Sequence, residues 1–252
     1  MDDLATTHDS IYQGKLTLEQ PKKAYRFGSD AMLLAASVHA HDGQKVVELG
    51  CGVGAVLLAA HHRLPGIHFT GIEREDRYAA LAKANIHRNK AESHVTVVQG
   101  DVCDKGMLHL LGTFDHVTAN PPYYETGVHS GAPDELRRVA RQQCPEDLAE
   151  WLQAANRFVK PKGTVTLIHS VEKLDELIEG LKKFCGAIRV FPLWPQAGQS
   201  CKRIIIHGLK GSKTPLTIMP GLVLHEADGQ MTKRAAEIIN RGRSLWDPMG
   251  EV

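Results

Sequence analysis

Apolar positions along the chain alternate between two periods. Short runs of four to six residues read as buried strands: Lys45–Leu49, His68–Ile72, Val95–Val98, Phe114–Ala119 and Gly163–Ile168. Between and after them lie stretches with helical spacing. Val53–Arg63 is rich in Ala and Leu. Asp76–Asn89 sets Ala79, Leu81, Ala82 and Ile86 on one side. Pro145–Phe158 does so with Leu148, Trp151, Leu152 and Ala155, and Val171–Phe184 with Leu174, Leu177, Ile178 and Leu181. Strand–helix repetition predicts an α/β fold, because parallel strands need crossovers that cover both faces of a sheet. After Phe184 the alternation stops. Ile188–Leu193 and Arg203–Leu209 are strand-like, with only a Pro/Gly-containing loop between them, which predicts an antiparallel pair at the end of a parallel sheet. At the front, a helix over the apolar run Ala31–Val38 is expected to begin at Ser29 or Asp30, both good N-caps. At the back, Pro215–Leu224 reads as extended chain and Thr232–Arg241 as a short helix capped by Thr232. The expected organisation is an N-terminal extension with its entry helix (1–40), a core (41–211) and a C-terminal extension packed on that core (212–252).

The overall balance adds little: net charge is +1 and charged residues make up 23%, as in ordinary globular chains. Any nucleic-acid surface must be local. Basic groups that could form one are Lys15, Lys22, Lys23 and Arg26; Arg137, Arg138 and Arg141; and Lys202, Arg203, Lys233, Arg234, Arg241 and Arg243. The polar Met1–Ser10 segment lacks the features of a signal peptide, and no apolar run suits a membrane span, so a cytoplasmic protein without membrane association is expected. Cys51, Cys103, Cys144, Cys185 and Cys201 are widely spaced, and the 14 histidines form no ligand pattern, so neither a disulfide frame nor a metal site is expected.

The segment Glu48-Leu49-Gly50-Cys51-Gly52-Val53-Gly54 joins a strand to a helix. Glycines permit positive φ and close approach of backbone to ligand, and a helix N-terminus favours nucleotide groups. The loop also satisfies the dinucleotide pattern, with Glu73 about 20 residues on, so by itself it leaves nicotinamide and S-adenosylmethionine both open. Glu73, ending its strand, can accept both hydroxyls of a ribose. Asp101, ending the next, can accept an adenine amine.

Asn120-Pro121-Pro122-Tyr123 follows the fourth strand, at the carboxyl end where open α/β sheets hold ligands. An amine conjugated with a ring is a weak nucleophile until acceptors hold its N–H groups and turn its lone pair outward. The Asn120 side-chain oxygen and the Pro121 carbonyl can be those acceptors. Consecutive prolines fix the carbonyl direction, and Tyr123 offers a stacking face worth roughly 1–3 kcal/mol per base.

On these residues the chain resembles the Asn-Pro-Pro-Tyr class of amino-methyltransferases, and within it the bacterial tRNA1(Val) adenine-37 N6-methyltransferases and their relatives. The entry segment Tyr25-Arg26-Phe27-Gly28-Ser29-Asp30-Ala31 and the late segment Leu222-Val223-Leu224-His225-Glu226 are similar to theirs, and the resemblance spans about Gln20 to Gly242. It implies a class I, Rossmann-like seven-stranded sheet, mostly parallel, closed by the antiparallel hairpin. It implies S-adenosyl-L-methionine as cofactor, held by Arg26, Ser29, Asp30, Glu48, Gly50, Gly52, Gly54, Glu73, Asp101 and Asn120. Asn120, Pro121, Pro122 and Tyr123 would form the catalytic loop, and RNA, a tRNA anticodon-loop adenine, would be the acceptor. Protein glutamine methylation needs the same acceptors, but only some 25–40 residues precede the first sheet strand, too few for a separate recognition domain. DNA methylation ranks third for want of a target-recognition domain. A fold retained for binding alone is opposed by the intact loop, and a dehydrogenase by the lack of a second catalytic domain.

Overall fold

The computed structural model describes residues 5–23, 26–122 and 147–247. Its centre is a sheet built from β3 (Lys45–Leu49), β4 (His68–Glu73), β5 (Val95–Gln99), β6 (Phe114–Ala119), β7 (Val159–Ser170), β8 (Cys185–Gln196) and β9 (Arg203–Lys210). Two short strands, β10 (Thr217–Ile218) and β11 (Leu222–His225), both join β8, making nine strands among the described residues, in the order β10-β8-β9-β7-β6-β3-β4-β5 with β11 also on β8. The expected seven strands are therefore present, and the extended segment near the end adds two more at one edge. β3 through β7 pair in parallel; β9 runs antiparallel between β7 and β8.

The helices are α1 (Ser29–Ser37), α2 (Ala55–Arg63), α3 (Asp76–Arg88), α4 (Lys105–Leu111), α5 (Leu148–Phe158), α6 (Leu174–Lys182) and α7 (Lys233–Arg241). α5 buries Leu148, Trp151, Leu152, Ala155 and Phe158, the face its spacing predicts. α7 is capped as expected, with the Thr232 hydroxyl accepting from the Ala235 N–H. α4 has no counterpart in the sequence reading; Asp104 starts it by accepting from the Gly106 N–H.

α1 departs from expectation at its start. It begins at Ser29, but Gly28 holds the cap position and no side chain caps it. Asp30 turns instead to Arg203 Nε, 2.7 Å away. Ala31 through Ser37 are all buried, as befits a helix covered on every side. Its last carbonyls, which a helix leaves unsatisfied, are met by distant groups. The Arg63 guanidinium donates to Ala35 and Val38, the Leu245 N–H donates to Ala36, and the Trp246 indole donates to Ser37 at 2.7 Å. The C-terminal segment is thus bonded directly to the entry helix.

Residues before α1, left unassigned from sequence, form a hairpin of β1 (Thr6–Ile11) and β2 (Leu16–Pro21). Leu16 and Leu18 are buried at alternate positions. The outer edge of β2 is bonded to side chains of α3. Asn89 Oδ1 accepts from the Thr17 N–H and Asn89 Nδ2 donates to the Thr17 carbonyl; Asn85 does the same for Glu19 at 2.7 and 2.9 Å. Four residues of helix rise about 6 Å and two of strand about 6.7 Å, so the two amides meet every second residue of β2.

Candidate active site

β3 is flanked by β4 and β6, and the order of the chain reverses between β3 and β6. Ligands of open α/β sheets bind at the carboxyl end of such a switch point. Leu49 and Ala119 are register partners there. The glycine loop after Leu49 and the Asn120–Pro122 segment after Ala119 therefore leave the sheet side by side, although 70 positions separate Gly50 from Asn120.

The loop needs its glycines. Gly50, Gly52 and Gly54 have φ of 69, 53 and 82°, the left-handed region that costs other residues about 1–2 kcal/mol. Gly50 is also pressed by α5: a Cβ there would lie 2.7 Å from Trp151 Cη2. The Gly50 and Cys51 N–H groups both donate to the Ile72 carbonyl, at 2.8 and 3.0 Å. Buried Asn85 donates from Nδ2 to the Val53 carbonyl at 3.0 Å.

Two buried carboxyls adjoin the loop. Glu73 Oε2 accepts from the Gly52 N–H at 2.8 Å and Oε1 from the Glu75 N–H at 2.9 Å. Burial raises the Glu73 pKa above its ordinary value against the lowering effect of these N–H groups. Glu48 is 2% exposed, and its Oε2 has no hydrogen-bond partner among the described residues. Its pKa is pushed well up, first by burial and then by the charge of Glu73, with the Leu57 N–H opposing. Asp101 closes a turn, its Oδ1 accepting from the Cys103 N–H at 2.8 Å. The Gly100 N–H just before it donates to the Glu73 carbonyl at 2.9 Å. Arg157 of α5 holds the same turn by donating to the Val102 carbonyl at 3.1 Å.

Asn120 and Pro122 are half-buried and Pro121 is buried. The Thr118 hydroxyl beneath them is buried, without a partner among the described residues. Tyr123, with Arg137, Arg138 and Arg141, lies outside the described residues.

Glu48, Gly50, Gly52, Gly54, Glu73, Asp101 and Asn120 are thus gathered at the carboxyl edge. The entry segment divides. Asp30 reaches this edge, because its partner Arg203 is the register partner of Ser170 at the end of β7; Ser29 is exposed at the same helix start. Arg26 is engaged elsewhere: its guanidinium donates to Thr7 Oγ1, the Pro21 carbonyl and Asp9 Oδ2, each at 2.8 Å. That makes it the tie between the hairpin and the segment that leads into α1. Among the basic groups, Lys22 and Lys23 are exposed. Arg234 instead donates to the Leu245 and Asp247 carbonyls, and Arg241 and Arg243 share Glu237. Asn85 and Trp151 were missed as site residues. Asn85 carried a signal, being a polar residue three positions after Ala82 on the packed stripe of α3. Among the described residues no group of three or more His, Cys, Asp or Glu could hold a metal ion, and no helix is long and apolar enough to cross a membrane.

A glycine loop and an Asn-Pro-Pro segment at the switch point of this strand order define a class I methyltransferase. Residues 24–184 match the sequence profile of the methyltransferase small domain, and the chain belongs to that family. Its relatives include the tRNA1(Val) (adenine(37)-N6)-methyltransferase of Actinobacillus pleuropneumoniae, 26% identical over 215 residues, which cover 84% of this chain and 87% of that one. The protein of the same name from Haemophilus influenzae is 26% identical over 227 residues, 88% of this chain and 92% of its own. In fold, the chain is similar to the solved structure of a predicted O-methyltransferase from Agrobacterium tumefaciens, with TM-score 0.71 and 23% identity over 85% of this chain and 97% of that one.

Proposed function

We propose that this protein is a cytoplasmic enzyme that uses S-adenosyl-L-methionine to methylate the N6 amine of an adenine in tRNA, in the anticodon loop. The observation that carries the reading is the adjacency of the glycine loop and Asn120–Pro122, set by the Leu49–Ala119 register. The names of the relatives supply the acceptor: an adenine at position 37 of a valine tRNA.

The residues present suit this cofactor. The left-handed glycines offer a backbone cradle that a Cβ would disturb. Glu48 Oε2 has no hydrogen-bond partner among the described residues, and the ammonium group of such a molecule would donate to it. Glu73 and Asp101 would hold the ribose and adenine. When bound, the cofactor supplies an electrophilic methyl group. The protein's own task is then positioning. Asn120 Oδ1 and the Pro121 carbonyl accept the two amine N–H bonds and turn the lone pair outward. They also stabilise positive charge as it develops on nitrogen. Tyr123 stacks on the extruded base, which costs least to extrude from an unpaired loop.

The test is methylation of unmodified tRNA in vitro, followed by mass spectrometry of its nucleosides. N6-methyladenosine mapped to the anticodon loop is expected. Cofactor binding with methyl transfer only to protein glutamine, or to no RNA, would refute the acceptor assignment.

A further inference from the structure

We infer that Asn85 is a positioning residue for the glycine loop, and that through it the N-terminal hairpin and the cofactor cradle form one mechanical unit. The inference rests on the reading that this loop receives the cofactor.

Asn85 is fully buried on α3, and all its amide valences are used. Oδ1 accepts from the Glu19 N–H at 2.7 Å and from Arg88 Nη1 at 3.1 Å. Nδ2 donates to the Glu19 carbonyl at 2.9 Å and to the Val53 carbonyl at 3.0 Å. One side chain thus joins three parts of the chain: the outer edge of β2, the helix α3, and the residue between Gly52 and Gly54. That stretch has further constraints, one of them the Leu58 N–H, which donates to the Gly54 carbonyl at 3.0 Å. The Gly52 N–H donates to Glu73 Oε2 and the Gly54 N–H to the Cys51 carbonyl, at 2.8 and 2.9 Å. Left-handed glycines have little intrinsic preference to stay where they are. Without the Asn85 bond, the Val53–Gly54 peptide is held by its N–H alone, through the Cys51 carbonyl, and Gly52 and the start of α2 are less firmly directed.

The molecule contains its own control. Asn89, one turn later, binds the N–H and carbonyl of Thr17 as Asn85 binds those of Glu19, and its remaining bond runs to the Asn85 carbonyl within α3. It anchors the hairpin and makes no bond to the loop. Asn85→Ala and Asn89→Ala therefore both loosen the hairpin, and only the first releases Val53.

The experiment compares the two variants with the unmodified protein in three measurements. Calorimetric titration with S-adenosylhomocysteine is expected to show affinity about three- to tenfold weaker in Asn85→Ala, the usual yield of one lost hydrogen bond, and unchanged in Asn89→Ala. Amide hydrogen exchange on the ligand-free proteins is expected to show Gly52 and Gly54 exchanging at least about tenfold faster in Asn85→Ala alone. Steady-state methylation should show a raised KM for the cofactor with kcat retained. Equal exchange and equal affinity in the two variants would overturn the inference and leave Asn85 a hairpin anchor. If the unmodified protein does not bind the ligand, the functional reading fails, and the exchange arm still decides the mechanical claim. If Asn85→Ala does not fold, Asn85→Ser, which keeps a small polar group in the space, is measured in its place against the same control.

Discussion

Replacing Gly50 by alanine is the sharpest test of how the cofactor loop is built. Two costs add at this position. With φ at 69°, a side chain incurs the left-handed penalty of about 1–2 kcal/mol. The new Cβ also meets Trp151, 2.7 Å from Cη2 and 3.3 Å from Cζ3, against an ordinary carbon–carbon contact of about 3.5 Å or more. Trp151 is 6% exposed and has little room to retreat, so overpacking adds about 1–3 kcal/mol. The expected loss is about 2–5 kcal/mol, a large share of the roughly 5–15 kcal/mol of a typical domain. Urea denaturation of a double-mutant cycle separates the terms. Trp151→Phe removes the outer ring atoms that a Cβ at position 50 would strike, and with them an indole N–H that has no partner among the described residues. In that background Gly50→Ala should cost only the conformational term, giving a coupling of about 1–3 kcal/mol. Costs that add within about 0.5 kcal/mol would mean that Trp151 does not press on the loop and that the glycine is needed for its φ alone.

Glu48→Gln bears on pH. A carboxyl whose folded pKa is raised holds its proton after the unfolded chain has lost it, so stability falls as pH rises from its ordinary value of 4.5 to the raised one. The variant should lose that slope and gain stability relative to the unmodified protein from pH 4.5 to neutrality; parallel melting curves across this range would contradict a buried, unfavourable carboxylate. Asn120→Ala should lower kcat strongly while tRNA affinity persists, because its interaction strengthens in the transition state; single-turnover methylation at the unmodified rate would show that the amine is held otherwise. Neutralising Lys22 and Lys23 together should weaken tRNA binding and reduce its salt dependence by up to about two counterions, with cofactor affinity unchanged; an identical salt slope would remove the hairpin from the RNA surface.

The parallel core was legible because its strands and helices carry their period in the sequence: Lys45–Leu49 and Phe114–Ala119 match the observed strands at both ends. The candidate site residues could be picked out for the same reason, since they sit at strand ends where the period stops. What could not be read is set by distant partners. Asp30 looks like an N-cap until Arg203 arrives from a late strand. The bonds of Arg26 to Asp9 and the Pro21 carbonyl depend on β1 and β2, which the local pattern around residue 26 does not announce. The hairpin itself is weakly patterned because one edge of β2 is bonded to asparagine side chains of a helix, which no strand periodicity announces. β7, β8 and β9 run past their expected ends because pairing with neighbours carries residues without the apolar period into the ladder: His169 and Ser170 opposite β9, Cys185 and Gly186 opposite β9, Trp194 and Gln196 opposite β11.

β9 is the reversed strand of this sheet, and its direction has a consequence for the rim. Every parallel crossover must return to the far edge through a helix, so altering its length disturbs packing on a face. The turn from Gln196 to Arg203 instead opens and closes at the carboxyl edge, beside Ser170 and Asp30. Doubling the length of such a turn costs only about 0.6 kcal/mol of closure entropy. Changes in the length or charge of the segment 197–202 therefore remodel the rim of the carboxyl edge, while the glycine loop, built on the other strands, is left unchanged.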